Sequence, residues 1–466
     1  MTIEEMDKSR QSTRRQWLTT LAGASGIGLA GCSGETDSTS GDNNSSPNGN
    51  VTTGNETSDN ESPPSPDDPM DVWEGINPTG VGAAVDDPDW RMPGHDTANT
   101  FTNLHADGPS DDPSVQWVFE RTVLPQGSLS WHHPLIVDGT VYTVHYNLPR
   151  TDETTVEDGN TELVAIDGET GESETTLVID EFAPRIAIAN DTVYFAGDWE
   201  VHSHDLETGD RNWSTSVPIV QASTISVLSG TLIVTDNRAL TTTDWEPTPE
   251  LAALDTQSGK VLWEAVGNES STLEPQQPVI ADDTVQYPKV TTLRDLYSGD
   301  ERGDFGTAGH YLSLHDGELY SIGDGYRLLS HSWATLEERW AYDPVDDPDD
   351  GVWAGWPVVV DDTVVVGGSP ELDLFMGVDR ETGAERWQTK LEDSYEPPGP
   401  SSLRVANQET VYIIHRGGAV TAIDPADGTI RWQLTDDLEF EISNGCALAD
   451  DLLVTVGAQG TLYGIS

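Results

Sequence analysis

The sequence predicts an all-β fold, eight four-stranded antiparallel sheets set in a ring over residues 113–466 and closed by an N-terminal strand near Trp117. Three observations predict it. A short turn between β-rich runs recurs eight times, and a Thr/Ser–Gly turn followed by Trp alternates with it. The last copy lacks a strand that the front of the body can supply.

The first turn occurs at Asp138-Gly139, Asn190-Asp191, Ser229-Gly230, Asp282-Asp283, Asp316-Gly317, Asp361-Asp362, Gln408-Glu409 and Asp450-Asp451. Residues such as Asp-Gly favour the primed turns whose twist matches that of paired strands, so each site marks a tight hairpin. The second signal runs small–apolar–Asp, then Thr/Ser–Gly, then Trp. It appears as Ala253-Leu254-Asp255 with Ser258-Gly259 and Trp263, and as Gly377-Val378-Asp379 with Thr382-Gly383 and Trp387. Asp205 with Trp213 and Asp424 with Trp432 repeat it. The Asp accepts hydrogen bonds from its own turn, the Gly takes positive φ, and the Trp opens the outgoing strand. A large ring recurring once per unit suits packing between neighbouring sheets.

Degenerate copies put Thr175 and Gly303 in the Trp position, and Ser330-His331-Ser332 leads to Trp340. The chain ends at Gly464-Ile465-Ser466, before the turn that would start a fourth strand, while Val115-Gln116-Trp117-Val118-Phe119 stands unclaimed at the front. From Trp117 to Trp432 is 315 residues over seven steps, an average of 45 per unit. Units of this size make four-stranded blades, and radial repetition protects their edges. An open solenoid would need no orphan strand at the front. The expected architecture is an eight-bladed β-propeller.

Residues 1–31 read as an export signal. Arg14-Arg15 precede an apolar stretch, Leu21 to Ala30, too short to span a bilayer, and the pair resembles a twin-arginine signal. Leu29-Ala30-Gly31-Cys32 resembles a lipobox, with Cys32 the lipidated first residue of the mature chain. The expected location is outside the cell, held to the outer face of the cytoplasmic membrane by that lipid alone. Residues 32–88 lack hydrophobic periodicity and are rich in Ser, Thr, Asn, Asp, Gly and Pro, so a disordered tether is expected there. About 50 such residues span roughly 35–45 Å. Asn44, Asn50, Asn55 and Asn60 head glycosylation sequons. Residues 89–112 form a lead-in to the ring.

Against 82 Asp+Glu stand 22 Lys+Arg, a net charge of −60 with acids spread through every turn. Nucleic acid is excluded as a partner, because binding it requires a basic footprint. Only four lysines occur. Abundant Asp with so few Lys resembles proteins of salt-loving archaea, whose self-repulsion is screened by molar salt.

Val279–Val285 together with Leu251–Trp263 resembles the repeat of the pyrroloquinoline-quinone (PQQ)-like β-propellers. Trp90-Arg91-Met92-Pro93-Gly94-His95-Asp96-Thr97-Ala98-Asn99-Thr100 resembles the lead-in of exported haloarchaeal lipoprotein members. The family includes quinoprotein dehydrogenases, in which PQQ lies in the channel beneath a disulfide of adjacent cysteines, with calcium held by acidic and amide groups. This chain has only Cys32 and Cys446, so neither PQQ nor calcium is expected and no catalytic constellation is found. His202, His204 and His331 occupy strand positions and are read as packed strand residues; His132-His133 lie outside the repeat. No metal site is expected.

The resemblance also reaches the propeller lipoprotein that assists outer-membrane protein assembly in bacteria. Long insertions near 120–133, 147–161, 235–249 and 343–356 all fall on the face opposite the short turns. Trp131, Trp199, Trp245, Trp353 and Trp356 map to that face. Trp131, Trp245, Trp353 and Trp356 are the candidate contacts for a protein or glycan partner, the alternative being rings that pack inward to cap the barrel. The expected role is a non-catalytic binding or assembly scaffold; the alternative is a divergent PQQ-dependent quinoprotein dehydrogenase.

Overall fold

The computed structural model describes residues 88–120, 133–147, 160–197, 199–219, 222–236, 249–266, 277–287, 292–304, 309–323, 327–343, 355–367, 374–390, 403–415, 418–435, 438, 445–457 and 460–466. All of them fall within one compact unit, 70–149 with 156–466. Arg14, Arg15, Cys32, Trp131, Trp245 and Trp353 lie outside the described residues.

The described strands form eight antiparallel sheets of four, in sequence order from the inner strand outward in seven of them. Blades 1 to 7 occupy 135–179, 185–216, 222–265, 279–304, 310–342, 358–390 and 403–434. Blade 8 takes three strands from 446–465, and its outer strand is Val115–Phe119. Val115 faces Ile465, Trp117 faces Gly464 and Phe119 faces Leu462, so the front of the body closes the ring as expected.

Each local signal does what its chemistry dictates. Asp138 and Gly139, Ser229 and Gly230, and Asp316 and Gly317 all take positive φ, the primed-turn geometry. At the second turn Asp255 Oδ1 accepts from the Ser258 N–H at 2.7 Å, and Asp379 Oδ1 accepts from the Thr382 N–H at 2.9 Å. The Trp indoles then clamp blade to blade. Trp117, Trp213, Trp263, Trp340 and Trp387 donate through Nε1 to the carbonyls of Gly168, Thr256, Leu296, Arg380 and Pro425 at 2.7–3.0 Å. Each acceptor follows the turn Asp of the next blade. Each ring lies so close to that turn's glycine that a Cβ on Gly171, Gly259, Gly299, Gly383 or Gly428 would come within 2.7 Å of it.

Two joints lack the Trp. In blade 1 the bulge falls at Leu163/Val164, where in blade 3 it falls at Ala253/Leu254, two strand positions later relative to the turn Asp. Thr175 is therefore exposed, and Leu177 approaches Gly209 of blade 2 instead. In blade 4, Gly303 leaves the space that Leu336 of blade 5 enters. At the joint between blades 7 and 8, lead-in residues stand where the turn is missing. There residues 104–111 stand beside Trp432 and border a cleft of about 560 Å³.

Candidate functional site

A propeller leaves the inner edge of every blade unpaired, with backbone donors and acceptors aimed at the axis. Buried without partners, each such group would cost about 1–3 kcal/mol. The lead-in meets this requirement. Trp90 exchanges two backbone hydrogen bonds with Ile136 of blade 1 at 2.7 and 2.9 Å, and the Arg91 carbonyl accepts from the Ile188 N–H of blade 2. Met92 is buried in the apolar cluster of Ile225 and Val227 of blade 3. The Thr97 and Ala98 carbonyls accept from Ile280 of blade 4 and Leu314 of blade 5, at 2.7 and 2.8 Å. Thr102 Oγ1 reaches the Val359 carbonyl of blade 6 at 3.4 Å. The Phe101 carbonyl accepts from the Ala406 N–H of blade 7, and Asn103 Nδ2 donates to the Leu448 carbonyl of blade 8 at 2.9 Å.

Residues 90–103 thus make one circuit of the axis, meeting all eight blades in order save that Phe101 reaches blade 7 and Thr102 blade 6. Each blade presents the same strand position, two residues before its hairpin turn, so the circuit lies toward the turn face. The plug is almost wholly buried, Trp90 and Met92 completely so. Its own turn is held by Asp96, which accepts from the Ala98 and Thr100 N–H groups and from Thr100 Oγ1 at 2.7–3.1 Å. Gly94 at φ 82° passes so near Gln277 Oε1 that a Cβ would sit 2.8 Å from it.

Around the plug several buried polar atoms make no hydrogen bond, among them Trp90 Nε1, both His95 ring nitrogens, the Gln277 amide and Trp356 Nε1. Groups of this kind are where ordered water enters a protein interior. Trp356, expected at the surface as a partner contact, is buried. Its ring packs 5.0 Å from that of Phe101 and 5.2 Å from that of Tyr311. Phe101 of the plug supplies the apolar floor that draws it inward, so Trp356 belongs to the capped barrel and not to an outward-facing surface.

Burial governs the histidines. It lowers the His202 ring pKa to about 4 and moves His204 down as well, and His204 Nδ1 meets the Gly209 carbonyl at 3.2 Å. Cys446 is buried in the inner strand of blade 8, and burial pushes its thiol pKa up. These residues do not fit a PQQ site. No adjacent cysteines exist in the sequence, Cys446 is a packed thiol, and the lead-in fills the axis near the turn face. Sequence reasoning missed the plug, because residues 89–112 have neither repeat nor periodicity. The clue was the set of eight inner strands with no covering partner.

A family model described as outer membrane protein assembly factor BamB matches residues 90–292 and 292–466. The chain belongs to this family of PQQ-like β-propellers. The match begins at Trp90 and so takes in the plug residues. BamB from Moraxella catarrhalis is 12% identical, with a TM-score of 0.52 over 75% of this chain and 98% of that one. The computationally designed Ika8 protein is 13% identical, with a TM-score of 0.53 over 73% and 97%. Quinohemoprotein alcohol dehydrogenase from Comamonas testosteroni is 12% identical, with a TM-score of 0.55 over 81% and 80%. At these identities the likeness is one of fold. No curated protein matches the chain in sequence.

Proposed function

We propose that this propeller is a non-catalytic assembly scaffold, exported through the Arg14-Arg15 signal and anchored by a lipid on Cys32, that binds a protein partner outside the cell. The observation that carries the reading is the self-filled axis, which turns recognition outward. The family's description as an assembly factor supports it too. The long connections offer the binding face. Those joining Thr140–Asn147 to Asn160–Asp167, Thr231–Asp236 to Leu251–Asp255, and Glu338–Tyr342 to Val358–Val360 all leave strand ends opposite the short turns. Trp245 and Trp353 lie in two of these connections and Trp131 in the stretch that joins Val115–Phe119 to Leu135–Val137; the three are the proposed contacts, and glycan binding at the same rings is the second form of this reading. No cofactor is assigned.

The acidic composition fits work in molar salt and a haloarchaeal source, with a melting midpoint that rises as KCl is added. A flat or falling midpoint would count against that part.

Cross-linking on intact cells followed by mass spectrometry tests the scaffold. Partner cross-links should map to the long-connection face and weaken in Trp131→Ala and Trp353→Ala, with the melting midpoint unchanged. Dye-linked alcohol oxidation after addition of calcium and PQQ to the purified protein would overturn the reading in favour of a quinoprotein.

A further inference from the structure

Between blades 1 and 2, where no Trp clamps the joint, three metal-ligating side chains converge. Glu181 lies in the crossing from one blade to the next, and Glu200 and His202 stand on the third strand of blade 2. Their ligand atoms all lie within 4.8 Å of one another. His202 Nε2 is 3.6 Å from Glu200 Oε2, outside hydrogen-bond range. The His202 side chain is 1% exposed, yet neither ring nitrogen has a hydrogen-bond partner. A buried imidazole with an unused lone pair beside two carboxylates is the donor set of a divalent transition-metal site. Donors on one tetrahedral zinc ion lie about 3.4 Å apart, so side-chain shifts of about 1 Å would close this set.

The charge that now satisfies Glu181 is Arg211, whose Nη2 lies 3.2 Å from both carboxylate oxygens. Its side chain is 42% exposed and free to swing into solvent. We propose that Glu181, Glu200 and His202 bind one divalent transition-metal ion, displacing Arg211 and tying the crossing to blade 2. The imidazole selects such an ion over calcium or magnesium, which prefer oxygen donors alone. The tie would lie at a joint where Leu177 makes only an apolar contact with Gly209. Metal bound to the folded state alone raises its stability, so the melt reports on the same event.

The test is titration of the chelator-treated full chain with Zn2+ in molar KCl, where loose binding to surface carboxylates is screened, read by calorimetry and by the melt. One saturable site is expected, with a melting midpoint raised by zinc. Glu200→Gln, at a partly exposed position, should weaken binding at least tenfold and leave the zinc-free melt unchanged. Arg211→Gln should tighten binding several-fold, an effect that no merely structural role of these residues would produce. Substituted Co2+ should show the visible absorption of a nitrogen-containing site. No saturable binding, or equal affinity in wild type, Glu200→Gln and Arg211→Gln, would overturn the proposal.

Discussion

The outer rim and the axis solve the same problem, holding neighbouring blades together, in opposite ways. At the rim the answer is repeated. Five indoles donate to the carbonyl after the turn Asp of the next blade, and five turn glycines leave room for the rings. At the axis the answer is unique, since residues 90–103 meet the blades through a different set of side-chain and backbone groups at each. The difference follows from geometry. Rim joints are equivalent and separate, so one residue pattern serves five of them. The inner edges converge on a single space that only one segment can occupy.

The plug is expected to carry the larger energy, and its removal is the harshest test of the comparison. Truncating Trp90 and Phe101 to Ala alone costs about 6–10 kcal/mol at the usual values for buried aromatics, comparable with the net stability of a whole domain. A chain starting at residue 113 should therefore show no cooperative melt in calorimetry. A transition matching that of the full chain would mean that the rim suffices.

Single clamps come next. Trp387→Ala should cost about 3–5 kcal/mol. Trp387→Phe, which keeps an aromatic ring but loses the Nε1 bond to Pro425, should lose about 1 kcal/mol beyond what the smaller ring costs. Trp432→Phe should lose less than Trp387→Phe, because Trp432 faces the lead-in and makes no indole hydrogen bond among the described residues. Urea midpoints for the three variants check the order, and equal losses for the two Phe variants would remove the clamp bond from the account.

Acid should loosen the interior before the rim. His415 is buried on the second strand of blade 7, and burial lowers its pKa to about 4. The unfolded chain takes that proton near 6.5, so the stability present at neutral pH falls as pH drops from 6.5 to about 4, by about 1.4 kcal/mol per pH unit. At the rim, hydrogen bonds from Thr382 and Arg386 hold Asp379 at about 2, so its smaller, solvent-screened contribution persists until the pH falls from about 3.8 toward 2. In His415→Gln the stability difference between pH 7 and pH 4.5 should shrink by about 2 kcal/mol. An unchanged difference would show that other groups carry the acid sensitivity.

The repeat made the ring legible, because hairpin turns, Asp–Gly turns and Trp positions are short-range chemistry that recurs. Closure at Trp117 could be read from one missing strand. Where the local pattern broke, the reading did too. The bulge in blade 1 gives the joint contact to Leu177 instead of leaving Thr175 in the Trp position, and Gly303 is explained by Leu336 from the neighbouring blade. Trp356 shows the same limit. Its place before an inner strand was visible, but the Phe101 ring that pulls it inward lies about 250 residues away in sequence.

The sequence by itself determined the strands, the turns, the number of blades and the clamp at five joints, since each depends on residues within one unit or its neighbour. Only the tertiary structure decided what fills the axis and which ligating side chains meet between blades 1 and 2. Those contacts join segments through space, with no periodicity to announce them, and they exist only once the ring has brought eight strand edges to one place.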